Sequence, residues 1–272
     1  MKLKRRTETS SELDGAMTST LRIGRAKATS EHLNAILGLI DEAREWLPSK
    51  GTDQWSKPWP SKEQRDAKVL RALELAATWV VWEVLCGKAV LAATVTVTAK
   101  ANRAVWSASA CDLAERAVYA HRLITARRYA GWGLGAELLD WTGMEGRSRY
   151  GARCIRIDVW TGNEALHGYY MKRRFERRGT CHDADYPSGV LLEKPISAIP
   201  YLMNPQFVES DEVPALFSAA GPQDPPYAPR VPAVDRTHLI PETLPDLHRM
   251  RIPEAPPEFA DHAASGLLAA SV

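Results

Sequence analysis

Between His121 and Ala136 the chain reads HRLITARRYAGWGLGA, and this stretch constrains the fold more than any other. An apolar, β-branched run (Leu123, Ile124, Thr125) leads through Arg127 and Arg128 to glycines at 131, 133 and 135, and an amphipathic segment with Leu134, Leu138 and Trp141 follows. Strand, glycine turn and helix succeed one another in that pattern, which is α/β architecture. Glycine has no Cβ, so a ligand can approach the backbone there, and the free N–H groups opening the helix lie at the positive end of its dipole. Such a place binds phosphate.

Two phosphate cradles fit these residues. Gly131-Trp132-Gly133-Leu134-Gly135-Ala136 satisfies the dinucleotide pattern G-x-G-x-x-G/A, and Asp158 ends an apolar run where that fold wants its ribose-binding acid, about 20 residues on. Against it, Ala126 to Ala130 separate the strand from the first glycine, and no series of βαβ repeats follows. The second cradle takes Arg128-Tyr129-Ala130-Gly131-Trp132-Gly133 as R-x-x-G-x-G. Downstream, beyond a strand-like run from Cys154 to Trp160, stand Asn163-Glu164-Ala165-Leu166-His167-Gly168-Tyr169-Tyr170 and then Phe175. In these two segments the sequence resembles the GNAT family of acetyl-coenzyme A-dependent N-acetyltransferases, whose signatures are R/Q-x-x-G-x-G/A and N-x-x-A...Y-x-x-x-G-F. Arg174 stands where the family usually has glycine.

The resemblance spans about Leu21 to Ile196. It implies an α/β fold with a mixed, mostly antiparallel central sheet, one parallel βαβ crossover, and helices on both faces. It also implies acetyl transfer from acetyl-coenzyme A to a primary amine, by direct attack in a ternary complex. Backbone N–H groups of Ala130, Gly131, Trp132, Gly133, Leu134, Gly135 and Ala136 would then hold the pyrophosphate, with Arg128 placed by the motif. Main-chain groups of Leu123, Ile124 and Thr125 would receive the pantetheine arm as an added strand would. Asn163 would cap its helix and touch the same arm.

Amide formation sets three further roles. An amine near its reference pKa of about 10.4 must lose a proton before it attacks, the carbonyl oxygen gains negative charge, and the departing thiolate benefits from a donor. Tyr170 matches the tyrosine that many family members use as that donor; the competing reading is an aromatic core residue packed on Leu166. Asp158 aligns with an acid five positions before the asparagine in the ribosomal-protein N-terminal acetyltransferases, and as a strand carboxylate it equally suits pairing with an arginine. His121 is a second candidate base, since imidazole titrates near neutrality, and Glu115 a third. The acceptor implied is a small-molecule amine. A nucleotide-binding, NAD(P)-dependent oxidoreductase and a non-catalytic acyl-coenzyme A-binding module are the alternatives.

Composition bounds the rest. At 272 residues with 45% hydrophobic content the chain can bury one sizeable core and carry extensions. Cys86, Cys111, Cys154 and Cys181 lie far apart without a C-x-x-C pair, so no metal site or disulfide framework is indicated and reduced thiols in a cytoplasm are expected. There is no run of 18 apolar residues, and the basic opening MKLKRR leads into polar residues, so no membrane association is expected. The basic run Lys172-Arg173-Arg174...Arg177-Arg178 lacks interleaved aromatics and gives no case for nucleic acid. A monomer or homodimer is expected.

Taken in order, residues 1–20 read as a disordered segment and 21–196 as the catalytic domain. Leu21 to Ala26 alternates as a strand. Ser30 then caps a helix with Leu33, Ile36, Leu37 and Ile40 on one face, and Ser61 caps a second with Ala67, Leu70, Leu73 and Ala77. Between them Trp55 and Trp59 lie over the core or beside the acceptor. A hairpin spans Trp79 to Thr98 around Gly87. The helix from Gly133 to about Arg147 is weakened by Gly143 and Gly146, and a short helix from Asn163 runs on to Phe175. Residues 197–272 hold 13 of 18 prolines and ten acids against four arginines, with apolar beads at Tyr201-Leu202-Met203 and Leu216-Phe217. That composition reads as an acidic, mostly disordered tail, the alternative being a segment that wraps the domain or a partner through those beads.

Overall fold

The computed structural model describes residues 20–56, 61–106, 115–181, 186–199 and 205–217. Strand β1 (Leu21–Arg25) precedes helices α1 (Ser30–Trp46) and α2 (Lys62–Glu74). Then come β2 (Thr78–Leu85), β3 (Lys88–Thr98), β4 (Ala117–Thr125), α3 (Leu134–Tyr150), β5 (Cys154–Val159), α4 (Glu164–Met171), β6 (Glu176–Thr180) and β7 (Val190–Pro195). Two short strands, β8 (Phe207–Glu209) and β9 (Leu216–Phe217), follow. The sheet runs β6-β7-β5-β4-β3-β2-β1-β8, with β9 beside β3.

The expected mixed sheet with one βαβ crossover is present: β4 and β5 are parallel and α3 connects them. The β2–β3 hairpin turns on Cys86 and Gly87, both at positive φ, as a two-residue hairpin loop demands. Helices cover both faces. On the face that presents Trp79, α3 packs edge-on through Trp141 (4.8 Å between ring centres). On the face that presents Trp82, His32 of α1 reaches the chain before β9: its Nδ1 accepts from Lys27 N, so Nε2 carries the proton and donates to Pro214 O at 2.8 Å.

Several expectations need correction. Thr29 caps α1 instead of Ser30, and α2 buries Val69, Ala72 and Leu73 while Ala67 and Leu70 face outward. Gly143 and Gly146 are not simply weak points of α3. A Cβ at Gly146 would lie 2.6 Å from the Val118 side chain, and one at Gly143 would lie 2.3 Å from Ile199 Cδ1, so both glycines let the helix approach its neighbours closely. We expect Gly146→Ala to destabilise the chain by about 1–3 kcal/mol in denaturant melts, because overpacking outweighs a helix-propensity gain of about 1 kcal/mol. The short helix α4 ends at Met171, and Arg174 turns the chain at φ +66, the left-handed conformation that the usual glycine would take.

The largest departure concerns the C-terminal segment. The folded unit does not stop near Ile196: β8 extends the sheet parallel to β1, β9 runs parallel to β3, and Phe207, Val213 and Leu216 are buried. The sheet therefore has two parallel pairings beyond the crossover. Residues 1–19 and 218–272, with Trp59, Cys111 and the Tyr201-Leu202-Met203 bead, lie outside the described residues. Among the described residues no helix is long and apolar enough to cross a membrane.

Candidate active site

Strands β4 and β5 are registered over only three pairs, Ala117–Cys154, Val118–Ile155 and Tyr119–Arg156. Beyond that point β4 stays with β3 as far as Thr125, while β5 stays with β7 as far as Val159. A bulge in β4 marks the parting: Thr96 faces His121 and Thr94 faces Ile124, so both Arg122 and Leu123 stand opposite Val95. Extra residues of this kind bend a strand and re-aim its side chains. The residues singled out on β4 and β5 flank this parting.

Immediately after β4 a short 3-10 turn (Arg127–Tyr129) leads into the glycine loop. Tyr129 is buried and its hydroxyl donates to Glu83 of β2 at 2.6 Å; its ring meets Trp132 edge-on. That buried pair anchors the loop, leaving Arg128, Ala130, Gly131 and Gly133 exposed. Gly131 and Gly133 adopt φ +85 and +76. A Cβ at Gly131 would enter open space, so conformation and not crowding requires glycine there. Helix α3 opens at Leu134 with no side-chain cap, and its first N–H groups, on Leu134 and Gly135, have no carbonyl one turn behind them. The arrangement is a shallow, donor-rich cradle at a helix N-terminus.

Asn163 caps α4, its Oδ1 accepting from Leu166 N at 3.0 Å, while Nδ2 donates to the buried Gln54 Oε1 at 2.7 Å. Trp160 Nε1 likewise donates to Asp53 at 2.8 Å. The α1–α2 connection is thereby tied to the end of β5. Trp55 in that connection packs partly buried against the core, as the lid reading expects. Tyr170 is fully buried, its ring edge-on to Phe175 and Tyr169, and its hydroxyl has no hydrogen-bond partner among the described residues. Burial raises its pKa, so it keeps its proton at neutral pH.

The two candidate bases are neighbours. His121 Nδ1 lies 3.7 Å from Asp158 Oδ1, too far for a hydrogen bond, and has no hydrogen-bond partner among the described residues. Burial, helped by the Arg122 charge, lowers the His121 pKa to about 3, so the imidazole is neutral and a poor proton acceptor near pH 7, contrary to expectation. Burial instead raises Asp158 to about 6, against the opposing effect of a hydrogen bond from the Tyr186 hydroxyl. Asp158 pairs with that tyrosine and forms no salt bridge with an arginine among the described residues. Glu115 sits apart, 3.5 Å from Arg156 in a network with Glu193 and Tyr119. Glu115, Cys154 and Glu193 cluster as metal ligands would, but Arg156 already occupies the Glu193 carboxylate.

Sequence reasoning missed Tyr186, Arg122 and Glu83 as members of this region. Glu83 and Arg122 did leave a signal, each a charged residue inside an otherwise apolar strand. Tyr186 left none, since it lies in a short polar connection before β7.

No protein-family model matches the chain. It is 31% identical over 175 residues to the uncharacterized N-acetyltransferase YesJ of Bacillus subtilis (strain 168), a match spanning 63% of this chain and 89% of that protein. A crystal structure of a GNAT-family acetyltransferase from Listeria monocytogenes 4b F2365 superposes with a TM-score of 0.50 at 21% identity, over 64% of this chain and 94% of the other. Among the described residues the sheet contains one βαβ crossover and not the series of βαβ units that a dinucleotide fold needs. With its relative matched over nearly the whole length, and strand, cradle and capped helix in place, the chain belongs to the GNAT family of N-acetyltransferases and is an acyltransferase.

Proposed function

We propose that the chain transfers an acetyl group from acetyl-coenzyme A to the primary amine of a small molecule, by direct attack in a ternary complex. The observation that supports this reading is the parting of β4 from β5 on the strand that leads into the glycine cradle, together with a core tyrosine, Tyr170, whose hydroxyl has no partner among the described residues. Acetyl-coenzyme A supplies an acyl group activated as a thioester. The residues present fit it in part: the N–H groups of Gly131, Gly133, Leu134 and Gly135 have no backbone partner among the described residues and suit a pyrophosphate, with Arg128 adding a positive charge, whereas those of Ala130, Trp132 and Ala136, also expected to bind it, donate to Arg127 O, Tyr129 O and Gly133 O. Main-chain groups of Leu123, Ile124 and Thr125 suit the amide-bearing arm, with Asn163 at the far side of the parting.

Asp158 takes the proton that the amine gives up. A carboxylate near pKa 6 is mostly ionised at pH 7 yet more basic than an exposed one, which suits a general base. Neutral His121 stands beside it as a hydrogen-bonding neighbour of the amine, not as the base. Tyr170, held protonated by burial, donates to the departing sulfur.

Gly133→Glu tests the cradle. A side chain at φ +76 is strained, and its carboxylate would repel a pyrophosphate, so calorimetry should show acetyl-coenzyme A affinity reduced at least about tenfold with the melting curve near native. Near-native affinity would remove the cradle assignment. Acetyl-coenzyme A binding without thiol release on any amine would leave a binding module instead of an enzyme.

A further inference from the structure

Two arginines are buried in the centre of this sheet, and they are treated differently. Arg156 is enclosed by Glu193, Glu115 and the Tyr119 hydroxyl. Arg122, only 7% exposed, makes a single hydrogen bond, from Nη1 to the neutral Thr96 Oγ1 at 3.3 Å, and has no carboxylate at ion-pair distance among the described residues. It also holds φ +50 at the β4 bulge, a conformation that residues with side chains rarely adopt. Burial lowers its pKa to about 10, so it remains charged at neutral pH. A largely buried guanidinium that meets a neutral hydroxyl, and no carboxylate at ion-pair distance among the described residues, favours an anion beside it. Asp158 is near enough to favour the charge but gives its oxygen to Tyr186.

We propose that Arg122 is a carboxylate subsite for the acceptor, so that the molecule acetylated is an amino-carboxylate such as a free amino acid, with its carboxylate on Arg122 and its ammonium directed to Asp158. The proposal rests on the acetyl-transfer reading and narrows it. A separated, buried pair of opposite charges is satisfied by a zwitterion, whereas a polycation would meet Arg122 with like charge. The planar fork of the guanidinium matches a carboxylate in two parallel hydrogen bonds.

The test uses the full chain with acetyl-coenzyme A, a panel of free amino acids, their methyl esters, and spermidine, read by thiol release. Calorimetric titration of the same acids and esters reads the subsite independently of turnover. At least one free amino acid should exceed its ester about 10²-fold in kcat/KM, because an ester carries no negative charge to meet the guanidinium. Arg122→Met, checked for a native melting curve, should bring that ratio near one, and Arg122→Lys should restore part of it. Equal use of acid and ester by the native chain, or a preference for spermidine, overturns the subsite whether or not the variants fold. A switch of the Arg122 dependence to succinyl-coenzyme A would place the carboxylate on the acyl group and overturn the acceptor assignment. Absence of thiol release with every amine counts against the transferase reading alone; calorimetry then decides, Arg122-dependent binding of acids over esters supporting the subsite, and equal or absent binding of both overturning it.

Discussion

Tyr170→Phe should lose roughly 10²-fold or more in turnover while the protein becomes slightly more stable, the usual scale for one acid–base group being 10²–10⁴. The two effects have one cause. The Tyr170 hydroxyl is buried and has no partner among the described residues, and an unsatisfied buried polar group costs about 1–3 kcal/mol. Phenylalanine keeps the ring against Phe175 and Tyr169 and removes the group that is costly. We therefore expect a gain on the order of 1 kcal/mol, a rise of a few degrees in Tm for a domain of this size. A purely structural tyrosine would show the gain without the loss. Full native turnover on a good acceptor, with chemistry shown to be rate-limiting, would assign Tyr170 to the core and leave the proton to water. The comparison needs both measurements on the same preparation, since a stability change alone is silent about the chemistry.

Much of this site was legible because local signals and tertiary needs coincide at it. Gly131 and Gly133 sit at positive φ between a buried tyrosine and a helix N-terminus, so a short motif with a fixed spacing is enough to find them. Asn163 is legible for the same reason, a cap being set within three residues by its bond to Leu166. The electrostatics were not legible. His121 looks like a base in the sequence, and only its enclosure between β3, β5 and Arg122 makes it a neutral imidazole. Asp158 depends on Tyr186, which lies 28 residues away in sequence. Gly143 and Gly146 read as helix weaknesses because propensity is local, while the Val118 and Ile199 side chains that require them are brought there by the sheet.

The C-terminal strands show the same limit and carry the other large effect. Proline density and acidic charge describe the average of residues 197–272, and that average hides Phe207, Val213 and Leu216, three buried side chains in a dozen residues. At about 1.5–3 kcal/mol for each buried apolar side chain they represent several kcal/mol, a large share of a typical net stability of about 5–15 kcal/mol. Their loss would also remove the acceptors of Trp141 Nε1, on Glu209, and of His32 Nε2, on Pro214, and bare the edge of β1. Deleting residues 205–272 should thus lower Tm by about 10 °C or more, or leave the protein insoluble, whereas a cut after Phe217 keeps both strands and serves as the control. Acetyl-coenzyme A affinity should fall with the longer deletion too, because Gln206 Nε2 donates to Trp132 O at 3.0 Å and to Glu137 at 2.7 Å, bracing the cradle from outside the motif. Gln206→Ala isolates that contact: weaker donor binding at an unchanged Tm separates support of the loop from support of the sheet. Native melting and native affinity after deletion of 205–272 would mean that β8 and β9 add nothing, and the domain would end near Ile196 after all.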